Sequence, residues 1–481
     1  MDVILTYDSE ALEGLGSRDV MTLIQKHIKE QVPEFQTCLD YYLGNQAITE
    51  KTRADSTAPN AQVVCNHAKD ISDTASSYFL GTPLAYKLKA DEDGAQKEDD
   101  FKLFQDALDK ATVDDDDQEN ALALSIYGKC YEYIYAAEDI AELREKPIDP
   151  MNAFVVYDQS IEHKELFGVY YYQKTDPLAE DDTKPDTYFI VMTETELRYY
   201  KVAAGSDEEV APYRVEQHRM GQVPLVEYKN NKYAIGDFYQ QISLIDAYNT
   251  MTSDRINDKE QFIDAILVIY GAILSGDDDD TKDEALDQLK AKKLLELPDG
   301  ASAEYLVRQL DESGMETLRD ALKEDIYTFS HVPNLTDENF AGNSSGVAME
   351  YKLLGLEMLT KTKERWYRRS LRKRIEIFLS YLGLKGGKLE EEDIEVVFSR
   401  SLPKNLLELS QIVNNLADDV TLETRLALLP FVEDPKAEAE AVGEEKKENV
   451  ARQQEFFAST AETGSENTEP EEDPDEPIDE E

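Results

Sequence analysis

A short segment rich in glycine and serine carries the chain's closest match to a catalytic motif. Gly342, Ser344 and Gly346 form the pattern GxSxG, in which hydrolases place a nucleophilic serine on a sharp turn after a buried strand. The residues just before it, Asp337–Ala341, are mostly polar and predict no buried strand. We therefore expect a loop that ends at a helix N-terminus, where Ser344 or Ser345 caps the first free N–H groups. A hydrolase that uses Ser344 is the alternative interpretation.

Acidic runs raise the question of a metal site. A calcium loop that started at Asp277 would need glycine at its sixth position and glutamate at its twelfth, where the chain has Lys282 and Gln288. We expect the run Asp277–Asp280 to be a solvated loop, with divalent binding between subunits left open. The five histidines are scattered and form no HExxH pattern, and no GxxxxGK[ST] motif occurs. We expect no metal and no cofactor; a metal-dependent nuclease is a further alternative.

One basic cluster interrupts this acidic chain. From Lys361 to Arg374 there are eight Lys or Arg residues and one Glu. If the segment is helical, four of them share one face, namely Lys361, Arg365, Arg368 and Arg372. This face could contact phosphates or could form ion pairs with acidic neighbours of the same chain or an adjacent subunit. We favour ion pairing, and both roles can coexist if the face borders a channel.

The composition excludes several classes of protein. The 481 residues include 102 Asp or Glu against 50 Lys or Arg, a formal net charge of −52. Such a surface repels phosphates within the Debye length of about 8 Å, so a protein that grips DNA tightly is not expected. Cys38, Cys65 and Cys130 form no CxxC pair, which favours a reducing compartment. No apolar run is long enough for a transmembrane helix and no secretory signal is visible, so we expect a soluble protein made in a cytoplasm.

The elements that would position these residues follow from the hydrophobic pattern. Runs of aromatic and β-branched residues between 152 and 228 predict antiparallel strands. A helical stripe starts near Phe238, and a helix of about 36 residues is expected from Val347. Its late stripe, which predicts a packed face, consists of Tyr367, Leu371, Ile375, Phe378 and Leu382. The tail Glu462–Glu481 has no Lys or Arg and is about half acidic, which predicts disorder.

Several short segments, in this order, match a known family between residues ~40 and 435. They are Tyr41-Tyr42-x-Gly44, Asn60, Asn66, Tyr78-x-x-Gly81-x-Pro83, Gly221–Asn231, Gly236-Asp237-Phe238, Ile245–Asn249, Ser253, Asp264–Val268, Ser345–Ala348, Leu422-Glu423-Thr424, Leu428-Leu429-Pro430 and Asp434-Pro435. The chain resembles the portal proteins of tailed bacteriophages with long, non-contractile tails. No single segment is diagnostic; their order and spacing carry the resemblance.

The resemblance implies an α+β, mostly helical portal fold with wing, stem, clip and crown, assembled into a ring of about twelve subunits. The corresponding boundaries are an N-terminal arm (1–36), the wing (37–236), a stem helix (237–261), the clip (262–310), a second stem helix (311–329), a tunnel loop (330–346), a long wing–crown helix (347–385), a crown (386–440) and an acidic tail (441–481).

The resemblance also implies a function and a set of partners. A portal ring is a non-enzymatic channel for packaging and ejection of double-stranded DNA, and it docks the terminase large subunit, head-completion proteins, the major capsid protein and scaffold. The channel residues would be Asn334, Asp337, Glu338, Asn339, Gly342, Asn343, Ser344, Ser345 and Gly346, and the clip interface would be Ile266, Val268, Tyr270, Ile273 and Leu274. DNA would pass without sequence readout. The alternative within virions is a capsid or tail-tube subunit.

Overall fold

The computed structural model describes most of the chain. The described residues are 4–54, 58–89, 94–136, 142–174, 185–263, 266–270, 300, 302–306, 312–335, 346–383, 388–400, 406–416, 419–429, 432, 435–436, 438–444 and 446–447. By compactness the chain divides into two units, Met1–Ser401 and Leu402–Glu481. No helix of the described part is long and apolar enough to cross a membrane.

Helices account for much of the described chain. They are α1 (Ser17–Glu30), α2 (Val32–Leu43), α3 (His67–Leu80), α4 (Gly94–Ala111), α5 (Val113–Tyr127), α6 (Ile242–Ile263), α7 (Glu312–Ser330), α8 (Gly346–Gly383), α9 (Leu406–Asn415) and α10 (Leu422–Leu426). Short 3-10 turns occur at Ser9–Gly14, Ala47–Glu50, Tyr239–Gln241 and Glu391–Asp393. The helices α9 and α10 belong to the second unit.

The strands form four sheets. They are β1 (Leu5–Thr6), β2 (Ala85–Leu88), β3 (Lys129–Ala136), β4 (Leu143–Ile148), β5 (Ala153–Tyr157), β6 (Glu165–Lys174), β7 (Asp186–Met192), β8 (Glu196–Val202), β9 (Arg214–Gln217), β10 (Leu225–Lys229), β11 (Ile266–Tyr270), β12 (Ser302–Leu306) and β13 (Ile394–Val397). Their orders are β1-β5-β6-β7-β8-β9, β10-β3-β4, β11-β12 and β13-β2.

The largest sheet confirms the predicted antiparallel region. Strands β5 to β9 pair antiparallel with their sequence neighbours, and only β1 joins the sheet in parallel, beside β5. Alternate residues face one core, which includes Phe154, Val156, Phe167 and Val169. The same core includes Val20 and Ile24 of α1, so part of the predicted N-terminal arm (1–36) packs on this sheet.

A second core surrounds the C-terminal half of α8. The predicted stripe is confirmed, since Tyr367, Leu371, Ile375 and Phe378 are buried and Leu382 is half-buried against them. These side chains pack with residues of α3, α5 and the sheet β10-β3-β4. The expected mixed α and β architecture is therefore confirmed. The long helix begins at Gly346, one residue before the predicted start, whereas the helix predicted over 237–261 begins at Ile242, after the turn Tyr239–Gln241.

Candidate functional site

Two packed helices, α6 and α7, lead to a two-stranded sheet. Strand β11 follows α6 and strand β12 precedes α7, and they pair antiparallel with Ile266 opposite Leu306 and Tyr270 opposite Ser302. Ile266, Val268 and Tyr270 hold alternate positions of β11, and Tyr270 is exposed. The predicted clip residues Ile273 and Leu274 and the acidic run Asp277–Asp280 lie outside the described residues. The helix–strand–strand–helix order occupies the residues for which a stem and a clip are predicted, and that assignment stays a prediction.

One face of α6 binds an extended segment through hydrogen bonds to its backbone. Asn249, Ser253 and Asn257 recur every four residues along the helix, and all three are buried. Their side-chain oxygens accept from backbone amides in reverse order along the segment: Asn249 from Cys65 (2.9 Å), Ser253 from Val63 (3.0 Å) and Asn257 from Ala61 (2.6 Å). These six residues form what we call the α6 ladder.

The two chain geometries explain this ladder. Alternate residues of an extended chain are about 6.6 Å apart, and residues four apart in a helix rise about 6 Å, so the donors and acceptors stay in register. Asn249 also donates to Gln46 and thereby ties the ladder to the turn Ala47–Glu50. The sequence motifs included Asn249 and Ser253 but gave no sign of their partners, since an extended segment without regular strand pairing has no periodic signal.

Charged groups secure the same helix at its exposed side. The hydroxyl of Tyr41 donates to Asp246 at 2.7 Å, and the burial of Tyr41 together with this carboxylate raises the pKa of its hydroxyl. Near the middle of α6, Asp254 accepts from Lys51 (2.9 Å) and Arg53 (3.1 Å). Polar contacts with residues between 41 and 65 therefore fix α6 along much of its length.

A histidine joins α3 to α7. The hydroxyl of Tyr327 donates to Asp70 at 2.7 Å, so it must accept from the Nδ1–H of His67, which lies 3.2 Å away. The ring of His67 also packs edge-on against Tyr248 of α6, at 4.8 Å between centroids. Burial lowers the pKa of His67. This contact brings three helices together beside the end of α7.

The first residues of the expected tunnel loop pack closely against α8. Helix α7 ends at Ser330, whose hydroxyl oxygen accepts from the amide of Val332 (3.3 Å), and Val332 is buried. His331 between them has a positive φ of 60°. On the other side, a Cβ at Gly355 of α8 would lie 3.4 Å from the carbonyl oxygen of His331, so the absence of a side chain there permits the close approach.

The predicted channel residues divide between described and undescribed positions. Asn334 lies in the described part, three residues after His331, and Gly346 is the first residue of α8. The others lie outside the described residues: Asp337, Glu338, Asn339, Gly342, Asn343, Ser344 and Ser345. No strand occurs between α7 and residue 335, where the described part before the GxSxG pattern ends.

The basic cluster of α8 is partly paired within the chain. Lys361 lies 3.4 Å from Glu357, and Arg372 lies 3.5 Å from Glu391, so both cations have a carboxylate nearby. Arg368 donates to the carbonyl oxygen of Val396 at 2.8 Å and stacks over Phe398. Arg365 is exposed. Intrachain ion pairing, which we favoured, thus applies to two of the four predicted residues.

Another cation of the cluster is buried against the segment that leads into α6. Lys363 forms an ion pair with Asp237, and each side chain is 1 % exposed. Asp237 also accepts from Ser125 of α5 (2.5 Å) and from Asn230 (2.9 Å), so its carboxylate is fully hydrogen-bonded. A buried ion pair of this kind is tolerated only with such additional partners. It fixes α8 to the segment that enters α6.

Arg374, the last residue of the cluster, lies in the core. Its guanidinium contacts the carboxylates of Asp117 (2.7 Å), Glu132 and Glu145 (3.1 Å), all from other elements. Burial works against the charged guanidinium, but the three carboxylates outweigh it and raise the pKa of Arg374 well above its usual value. Burial raises the pKa of Asp117 and Glu145 despite the cation. Sequence reasoning missed this network because a basic run normally indicates a surface.

Two further histidines, His27 and His218, make hydrogen bonds within the chain. His27 lies 2.8 Å from the hydroxyl of Tyr171, and burial, followed by the charge of Lys129, lowers its pKa to about 3. His218 contacts the carbonyl oxygen of Thr193 at 2.9 Å. Within the described residues, no group of three His, Cys, Asp or Glu side chains is arranged to hold a metal ion.

Comparisons with known proteins give a family match, two relatives and a solved structure of similar fold. A family model described as "Phage portal protein, SPP1 Gp6-like" matches residues 22–452. The portal protein of Bacillus phage SPP1 is 24 % identical over 454 residues, which cover 88 % of this chain and 86 % of that protein. The portal protein of Clostridium phage phiCD119 is 27 % identical over 303 residues, 61 % of this chain and 64 % of that protein. A solved structure described as "Neck of native GTA particle computed with C12 symmetry" aligns with a TM-score of 0.45 and 10 % identity, covering 76 % of this chain and 89 % of that one.

Proposed function

Since this chain belongs to the SPP1 Gp6-like family of phage portal proteins, we propose that its copies close into a ring that forms the DNA channel at one capsid vertex. Double-stranded DNA enters through this channel during packaging and leaves through it during ejection. The family is one of structural proteins, and we assign the chain no catalytic role. The observation that carries the proposal is the family match over residues 22–452, which spans every element from α2 to α10.

The parts of the ring follow from the order of the elements. The helices α6 and α7 form the stem, and the segment with β11 and β12 forms the clip at its end. Residues 330–346 form the tunnel loop, and α8 is the long helix that connects it to the wing. The α6 ladder supports this division because a stem helix must be held rigidly while DNA passes. The anchored position of His331 against Gly355 gives the loop a fixed base.

The charge of the chain suits a wall that DNA slides along. A net charge of −52 repels phosphates and shortens their contacts with the lining. Asp337 and Glu338 would add negative charge at the loop, while Asn334, Asn339 and Asn343 would offer weak, exchangeable hydrogen bonds. Gly342 and Gly346 would let the loop change conformation as the duplex passes. No base is read, because packaging must accept any sequence.

The remaining surfaces take protein partners. The clip, with Ile266, Val268 and Tyr270 on β11, would receive the terminase large subunit during packaging and the head-completion proteins afterwards. The wing would contact the major capsid protein and scaffold. The function needs no metal or cofactor. Within this scheme the protein is a virion component at the capsid vertex.

The ring and its channel can be tested with the purified full-length chain. Negative-stain electron microscopy and mass photometry should show closed rings of about twelve copies with a central hole. Fluorescence anisotropy with a labelled duplex of about 30 base pairs should show weak or no binding at about 150 mM salt. Particles that stay monomeric under all assembly conditions would exclude the ring. Closed shells or stacked tubes would favour a capsid or tail-tube subunit, and tight duplex binding would exclude the sliding wall.

A further inference from the structure

One face of α8 is exposed along most of the helix and changes character halfway. Tyr351, Leu354 and Met358 are 74 %, 51 % and 64 % exposed, and they are followed by three exposed cations, Lys361, Arg365 and Arg369. At 100° per residue these six side chains fall within about 80° of one another. Over 18 residues the face is about 27 Å long. We call it the α8 stripe.

The stripe lies opposite the side of α8 that is already packed. Leu353, Leu356 and Tyr367 are buried, and their helical positions fall on the other side of the helix. The buried side of α8 therefore packs within the chain, whereas the apolar half of the stripe is left exposed. Single exposed apolar residues are normal, but three large ones in consecutive turns of one face are typical of an interaction surface.

The positive charge of the basic half of the α8 stripe is only partly paired within the chain. Lys361 lies near Glu357, but Arg365 and Arg369 have no carboxylate partner among the described residues. Arg369 instead lies 6.0 Å from the ring of Trp366. In a chain with 102 acidic residues, two unpaired arginines four residues apart on one face indicate a partner of negative charge.

A face with the complementary properties occurs on α7 of the same chain. Leu318 and Phe329 are 54 % and 60 % exposed, and together with Asp325 they fall within about 40° of one another around the helix. The side of α7 that binds the chain is the opposite one, where Tyr327 contacts Asp70 and His67. The whole helix has five Asp or Glu against two Lys or Arg. Of these carboxylates, only Asp325 lies on the exposed face with Leu318 and Phe329, so this face offers two apolar side chains and one carboxylate.

We propose that the α8 stripe of one copy docks on the exposed α7 face of the next copy, with apolar side chains in contact and Arg365 and Arg369 close to Asp325. The two faces differ, so the contact is head-to-tail, and its repetition gives a ring when the rotation between neighbouring copies closes. The inference rests on the proposed ring and assigns its subunit interface. It also assigns the exposed arginines to a protein partner, with phosphate contact as the competing outcome.

Two variants, each defective in one face, provide the test. Arg365→Glu with Arg369→Glu damages the α8 stripe, and Leu318→Ser with Phe329→Ser damages the α7 face. Each purified variant should be monomeric, with at least a tenfold lower ring fraction than the wild type by mass photometry. Mixed together, they should give one-to-one dimers but no rings, because one intact α7 face then meets one intact α8 stripe. All four positions are exposed, so circular dichroism should show an unchanged fold.

The matched control reverses two exposed lysines elsewhere. Lys26→Glu with Lys29→Glu on α1 makes the same charge change and should leave the ring fraction unchanged. If the wild type forms rings and both variants do too, the interface is wrong while the proposed ring stands; if the wild type forms none, the proposed function fails first. Rings of the arginine variant that assemble normally but retain less duplex DNA would assign the arginines to phosphates and overturn the inference.

Discussion

The hydroxyl oxygen of Ser253 accepts a hydrogen bond from the amide of Val63 at 3.0 Å, although 190 residues separate them in the chain. Ser253 is fully buried in the middle of α6, and its neighbours in the ladder, Asn249 and Asn257, make the same kind of contact one turn to either side. The segment with Val63 pairs with no strand there, so the helix supplies acceptors that a strand would normally supply. Folding of α6 is therefore coupled to the extended segment 61–65.

Removal of one acceptor from the α6 ladder should destabilise the chain. In Asn257→Ala the amide of Ala61 loses its acceptor in a largely buried place, which costs about 1–3 kcal/mol of unfolding free energy. Urea denaturation of the monomeric chain, followed by circular dichroism, measures the change. Thr317→Ala is the control, since that exposed hydroxyl only contacts its own helix and should shift the midpoint very little. Equal effects of the two variants would contradict a role for the ladder.

Loss of the buried guanidinium should be costly and dependent on pH. Arg374→Met leaves the carboxylates of Asp117, Glu132 and Glu145 buried without a cation, which costs about 3–5 kcal/mol. Burial already raises the pKa of Asp117 and Glu145, so the folded variant takes up protons that the unfolded chain does not bind at the same pH. Its unfolding free energy should therefore rise as the pH falls from about 8 to about 5.

Urea midpoints of the Arg374 variant at the two pH values give the measurement. The exposed Arg219 provides a matched control, because Arg219→Met removes the same charge without emptying a buried site. A variant of Arg374 that is as stable as the control, or that weakens further in mild acid, would show that the three carboxylates do not depend on the guanidinium.

Local patterns in the sequence predicted the regular elements well and the polar contacts poorly. The stripe from Tyr367 to Phe378 and the alternating strands after Asn152 follow directly from helical and strand periods, so the sequence predicts them. The sequence does not predict the buried position of Arg374, because its partners come from α5, β3 and β4 and only the tertiary fold brings them together. The basic run predicts a single exposed surface, whereas Lys363 and Arg374 are buried and Arg369 is exposed.

His27 should make the chain sensitive to acid. Its Nδ1–H must donate to Tyr171, whose own proton goes to the carbonyl oxygen of Met151, so the buried Nε2 carries no proton. Burial lowers the pKa of His27 to about 3, whereas the unfolded chain binds a proton below about 6.5. Unfolding free energy is therefore lost as the pH falls from about 6.5 towards 3, at up to about 1.4 kcal/mol per pH unit.

The variant His27→Gln removes this titration. It should be less stable than the wild type at about pH 7 because packing around the ring is lost, but the difference should shrink by about 2 kcal/mol at about pH 5. Urea midpoints at both pH values give the measurement. A difference that does not change with pH would mean that His27 is protonated as easily in the folded chain as in the unfolded one.

The acidic tail should be dispensable for assembly. Residues 462–481 have no Lys or Arg, and a segment of this composition has too little apolar surface to be buried. A chain that ends at Ala461 should give the same ring fraction as the full-length chain by mass photometry. Loss of rings on truncation would assign the tail a place at a subunit contact, and a larger change in capsid incorporation than in ring formation would point to another virion protein as its partner.

Gly346→Pro should separate assembly from DNA transport. Gly346 is the first residue of α8, where proline is accepted because its missing N–H has no partner within the helix and its φ suits the first turn. Proline also restricts the residue before it, Ser345, so the loop loses conformational freedom while the helix is kept. Rings should form at the wild-type level, but the amount of DNA packaged per particle should drop severalfold in an infection or packaging assay. Gly346→Ala is the control, since it keeps the backbone of Ser345 unrestricted; normal packaging by the proline variant would mean that the loop plays no active part while DNA moves through the channel.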